Sequence, residues 1–286
     1  MATLSPDARA ASPQVVGVRL GFMTMLGRAY PRLVAANREP DWIFYEVALP
    51  LLQICAFAFV YKAIGAPKQY IGLVILGGGM MAFWANVLWS MAGQLHWERQ
   101  SGNLELYLMA PSSLLWILAG MAFGGMLATA IRTVVILALG SLLFGVSYAL
   151  TLSAVPLVIL AFLFSLIGLY GLGSMLASLY LLYNREVWAI QEVIQEPVAF
   201  LTGSYVPVRA LGPFVAGFAA LIPLTLGLDA VRQLVFPGLF RIFIPAGWEV
   251  GILAVLAVLF CVGAAWALTY IERLAKVQGR LSLKWQ

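Results

Sequence analysis

Six stretches of this chain are apolar for about the length that a helix needs to cross a lipid bilayer, at 43–62, 70–94, 112–145, 152–183, 187–204 and 248–270. Roughly 30 Å of hydrocarbon takes about 20 mostly apolar residues in a helix. In lipid the backbone must satisfy its own hydrogen bonds, which leaves helices and closed barrels. The alternating pattern of barrel strands is missing. The predicted fold is therefore an all-α integral membrane protein with six transmembrane helices in one domain over residues 1–286. Only 10% of residues are charged, against about 25% in soluble domains. The net charge of +5 does not indicate nucleic acid, because no soluble domain remains to present a basic face. Basic residues mark cytoplasmic loops instead. The third and fourth runs exceed a bilayer's need and are expected to project or tilt. Cys55 and Cys261 lie inside apolar runs and read as small hydrophobes, not as a disulfide framework.

The first 14 residues are polar and lack the apolar core of a signal peptide, so insertion is assigned to the first span. In residues 14–38, Arg19, Arg28, Arg32 and Arg38 interrupt Val18, Phe22, Met25, Leu26 and Leu33. The pattern predicts an amphipathic helix lying on an anionic leaflet, broken or bent near Pro31. A solvated tail is the plainer alternative, and the long apolar face counts against it. With the N-terminus inside, eleven Lys and Arg fall on inner segments and five on outer ones, which predicts cytoplasmic termini in a plasma or cell inner membrane. Residues 205–245 are apolar but broken by Pro207, Pro213, Pro223, Pro237 and Pro245. Short helices that dip into the outer leaflet and return fit both properties, if protein shields their backbone.

Between the second and third runs stands HWERQSGNLELYLMAPSS, from His96 to Ser113. The periodicity puts Trp97, Leu104 and Leu108 near one helical stripe and Glu98 and Glu105 on another, which predicts a short amphipathic helix along the cytoplasmic surface with its carboxylates facing water or a partner. Gly102 and Asn103 divide the helix in two, and Pro111 ends it. An ordinary solvated loop is the alternative for a charged stretch.

This segment resembles the cytoplasmic segment of ABC-2 type permeases, the membrane subunits of a large class of ATP-binding-cassette exporters. The similarity is carried by Glu98, Arg99, Gly102, Leu104, Glu105, Ala110, Pro111 and Ser113. FLTGSYVP, with Phe200, Leu201, Gly203 and Pro207, resembles a second segment of that family. IPLTLGLDAVR, with Pro223, Leu224 and Thr225, resembles a third, although Ile222 stands where Asn is common and Leu226 where an aromatic is common. The resemblance implies that residues 95–111 form a coupling helix docked on an ATP-hydrolysing subunit. It implies two ATPase subunits carrying ATP and Mg, and a second permease subunit, identical or related. The implied cargo is a hydrophobic drug-like compound or lipid, with a lipid-linked glycan or polysaccharide as the alternative.

No GxxxxGK[ST] motif occurs in the sequence, so this chain is expected to carry no ATPase chemistry, no cofactor and no metal of its own. His96, the single histidine, reads as a surface residue and leaves a membrane enzyme without support. Gly120, Gly124 and Ala128, spaced by four, suit close helix contacts. Arg132, inside the third run, is a candidate for the substrate pathway, with outward snorkelling or local pairing as the alternatives. Glu46 reads as an interface residue. Asp229 and Arg232 are spaced for a local ion pair. Gln191, Glu192, Gln195 and Glu196 form two i,i+4 pairs on the fifth run, predicted to share a face along the substrate pathway. Embedded carboxylates also suit an ion-coupled secondary transporter, but no internal repeat between the halves supports that class.

Overall fold

The computed structural model describes residues 13–182, 187–239 and 244–278. Every regular element in them is helical. Helix α1 spans Pro13–Ala36 and α2 spans Pro40–Ala63. Helix α3, Lys68–Ala85, runs on through a π-helical segment, Asn86–Ala92, into α4, Gln94–Gln100. Then come α5, Asn103–Met109, α6, Leu114–Phe144, and α7, Val155–Leu182. Helix α8 spans Val187–Leu201, a short 3₁₀ turn covers Val208–Leu211, and α9, α10 and α11 are Pro213–Ala219, Pro223–Val235 and Ala246–Gln278.

Among the described residues, five helices are long and apolar enough to cross a membrane: α2, α3 with its continuation, α6, α7 and α11. Helices α9 and α10 meet at 111° and add a sixth only if that bent pair counts as one span. The run at 187–204 differs from its expected role as a full span. Helix α8 has 15 residues, about 22 Å at 1.5 Å each, short of the hydrocarbon thickness. The chain turns just past its end at Gly203, whose φ is +71°. The buried Arg232 of α10 then donates to the carbonyls of Gly203 at 2.6 Å and Ser204 at 2.8 Å, and to that of Leu73 on α3 at 2.7 Å. One guanidinium thus satisfies three carbonyls where α8, α10 and α3 meet. Gly77 makes room, since a Cβ there would overlap the Ser204 carbonyl.

Lipid tails are as apolar as leucine, so helices in a bilayer associate through close packing and polar contacts more than through water exclusion. Helix α1 shows this directly. Added side chains at Gly120 and Gly124 of α6 would overlap the carbonyls of Met25 and Ala29. Helix α1 therefore lies backbone to backbone along α6, in the same direction, and it continues through Pro31 instead of breaking there. Phe83, Trp84, Leu88, Leu118, Leu169 and Leu224 fill the main core between α3, α6, α7 and α10.

Candidate functional site

Because α3, the π segment and α4 follow one another with only Gly93 between the last two, the start of the candidate coupling segment is an extension of a span. Helices α4 and α5 are joined by a turn at Ser101–Gly102 and contact each other across it. Gly102 has φ +75° and ψ 0°, the left-handed region that strains any side chain. Leu95 and Leu104, fully buried, insert the hairpin's apolar side into the main core.

Glu98 is turned inward and is only 8% exposed, contrary to its expected position facing water or a partner. Its carboxylate accepts from Gln94 at 2.9 Å and from Asn103 at 2.9 Å across the turn. Arg28 of α1 donates to it at 3.4 Å and to the Tyr107 hydroxyl at 2.6 Å. The Arg28 guanidinium also lies 4.9 Å from the Tyr107 ring centre. Burial pushes the Tyr107 phenol above its ordinary pKa, with Arg28 opposing and Glu98 adding to the shift. A protonated phenol and a carboxylate thus share one arginine, and the hairpin is pinned to α1.

The outward side of the hairpin is different. Trp97, Leu106 and Met109 are exposed, Met109 by 74%, next to exposed Gln100, Ser101, Asn103 and Pro111, with Arg99 half-buried. Trp97 and Leu104, expected on one stripe, separate because the helix breaks between them. The side chains of Glu105 and Leu108 lie outside the described residues. His96 is a correction: it is buried, 3% exposed, with its ring nitrogen 2.8 Å from the Gln100 amide.

The polar stripe of α8 splits into two faces. Gln191 is 3% exposed and its amide donates to the Leu88 carbonyl at 2.6 Å. Gln195 accepts the Trp89 indole N–H. Both partners belong to the π segment. Glu192 and Glu196, each about 100° round the helix from a glutamine, are exposed beside Val193, Pro197 and Phe200. Nearby, Tyr205 stacks on Phe57 of α2 at 4.6 Å and donates to Gln53 at 2.7 Å.

Arg132 is locally paired. It forms an ion pair with Glu46 and donates to the Ala36 carbonyl at the end of α1. Glu46 is accordingly a partner of Arg132, which resolves both residues together. Arg232 directs its terminal nitrogens to the three carbonyls, and Asp229 accepts a hydrogen bond from Gln233 at 3.3 Å. Sequence reasoning missed Arg28, Gln94 and Asn103 as partners of Glu98. The Gln94–Glu98 spacing of four was a usable signal, whereas Arg28 is 70 residues away. It also missed Leu88 and Trp89, because nothing in the sequence marks the π winding.

A bundle of long apolar helices, with a bent helix pair at one point and a hairpin extending a span at another, defines a multi-pass helical membrane protein. The family model described as ABC-2 type transporter matches residues 29–236, well over half of the chain. The chain belongs to the ABC-2 type transporter family, as a transporter membrane domain. Membership implies partnership with an ABC ATPase. No curated protein matches the chain.

Proposed function

We propose that this chain is the permease subunit of an ATP-driven exporter for a hydrophobic or amphipathic compound. Two permease subunits, identical or related, work with two ATPase subunits that hold ATP and Mg. The termini and the α4–α5 hairpin face the cytoplasm, and the α9–α10 pair is a re-entrant segment at the outer leaflet of the plasma or inner membrane. The observation that carries this reading is the two-sided hairpin. Glu98 and Leu104 lock its inner side, while Trp97, Leu106 and Met109 stand exposed beside polar residues. Such a patch suits docking of a soluble partner. Closure of the ATPase pair would displace the hairpin and favour one of two arrangements of the spans.

The cargo class rests on α8. A carboxylate in the bilayer centre costs on the order of 2.5–3.5 kcal/mol, so embedded acids face water-filled cavities or partners. Glu192 and Glu196, exposed beside Val193 and Phe200, offer charge and apolar surface together, which suits an amphipathic cation. The test of the exporter reading is purification of the tagged chain from its native membrane in mild detergent. A P-loop ATPase is expected to accompany it, and Leu106→Glu with Met109→Glu is expected to lose that partner. A chain that purifies without an ATPase, or a double variant that retains it fully, overturns the reading.

A further inference from the structure

Helix α8 is joined to the coupling rod by a specific pair of bonds. The first is Gln191 to the Leu88 carbonyl, the second Trp89 to Gln195. They are one turn apart on α8, and both land on the π segment that leads through Gly93 into α4. In a regular π ladder the N–H of Gly93 would bond the carbonyl five residues back, that of Leu88. The Gln191 amide donates to that same carbonyl at the end of the segment. Gly93 also clears the space. A Cβ there would stand 3.1 Å from the Gln191 amide nitrogen and 3.4 Å from the Trp97 indole nitrogen. Ile190 adds an apolar contact against Ala92 and Tyr180.

We propose that Trp89, Gln191 and Gln195 are positioning residues that tie α8 to the α3–α4 rod, so that displacement of the hairpin moves α8 and its Glu192–Glu196 face. Two bonds one turn apart resist both sliding and rotation of α8 on the rod. A buried amide left without a partner in a low-dielectric setting is strongly disfavoured, so the tie holds while the rod moves. Glu192 and Glu196 lie about 100° from the tied glutamines, which leaves them facing away from the rod while being carried with it. The proposal rests on the exporter reading for its consequence, but not for its geometry.

Two measurements test it. The first uses the chain alone in lipid nanodiscs, with Cys55→Ser and Cys261→Ala, and spin labels at the exposed Ser101 and Phe200. A single narrow distance distribution is expected, broadened by Gln191→Met with Gln195→Met and by Trp89→Phe, which removes the indole donor. The second uses the complex with its co-purified ATPase in vesicles, reading transport of a cationic amphiphilic dye per ATP hydrolysed. The Met double variant is expected to transport at least tenfold less per ATP, with hydrolysis within about twofold of the unmodified chain. Gln195→Glu retains an acceptor for the indole N–H and is expected to recover most of the loss seen in Gln195→Met. Unchanged distance distributions overturn the tie. So does an equal fall of transport and hydrolysis, or a Gln195→Glu chain as impaired as Gln195→Met. If no ATPase accompanies the chain, the exporter reading fails on that ground, and the distance measurement still decides the tie.

Discussion

Glu98→Lys is expected to release the α4–α5 hairpin from α1 without preventing membrane insertion. The Arg28–Glu98 contact is 3.4 Å, which at an effective dielectric near 20 corresponds to about 5 kcal/mol of Coulomb attraction. The Arg28 side chain is 32% exposed, so solvent screens this to about 1–2 kcal/mol. The bonds from Gln94 and Asn103 end on a charged acceptor, and each contributes on the order of 1.5 kcal/mol or more. Lysine removes all three interactions and places a second cation opposite Arg28. The expected loss is about 3–5 kcal/mol, the range for breaking a buried pair on one side. Since about 1.4 kcal/mol is a factor of ten, amide hydrogen exchange in residues 94–109 should accelerate about a hundredfold or more. Glu98→Gln keeps one carbonyl acceptor for Gln94 and Arg28 but turns the oxygen that faces Asn103 into a donor, and should cost about 1–2 kcal/mol. Exchange is read by mass spectrometry on nanodisc-embedded protein, together with ATPase co-purification and transport, both expected to be lost in Glu98→Lys. Adding Arg28→Glu to Glu98→Lys restores opposite charges and should recover much of the protection. Unchanged exchange in Glu98→Lys, or no recovery on swapping, would refute the pinning role.

Arg232→Lys cannot reproduce a fork that reaches three carbonyls. It should cost about 3–5 kcal/mol, a fall in melting temperature of about 6–15 °C for a chain of this size, read by thermal unfolding in detergent; a shift below about 2 °C would remove the brace from the fold's stability. In single-cysteine variants lacking Cys55 and Cys261, Ala66 and Gly238 should label from outside and Ser101 should not, so strong outside labelling at Ser101 would invert the proposed topology. Glu192→Gln and Glu196→Gln should reduce transport of a cationic amphiphile more than that of its neutral analogue, and equal losses for both would end the case for cation selection.

The helical membrane character was legible because it depends on run length and composition alone. The hairpin at Gly102 was legible because glycine beside asparagine is a local signal. The depth of each element was less so. The run at 187–204 has the apolar content of a span, but α8 ends at 15 residues because Arg232, 29 residues downstream, captures the carbonyls of Gly203 and Ser204. Facing was the least legible property. A four-residue spacing puts Gln191 with Gln195 and Glu192 with Glu196, but it does not say which pair turns toward the π segment. Similarly, Arg132 was recognisable as a costly charge and Glu98 as part of a coupling segment, while their partners, Glu46 on α2 and Arg28 on α1, could be assigned only once those helices were seen beside them.

These pairings follow one physical rule. In a chain whose spans are apolar nearly all the way round, apolar periodicity does not specify which faces meet, and polar side chains take over that task. Arg132 reaches Glu46 and the Ala36 carbonyl, Arg232 reaches three carbonyls, Tyr170 donates to Asn86 at 2.9 Å, and Gln191 reaches the Leu88 carbonyl. Each fixes one helix against another. Glu192 and Glu196 break the pattern, since both residues are exposed, about 100° round α8 from the tied glutamines. An acid in an apolar helix that fixes no neighbouring helix must be matched by water, a second subunit or a ligand. That difference in facing, more than the presence of charge, is what separates the residues that hold this fold from those proposed to meet its cargo.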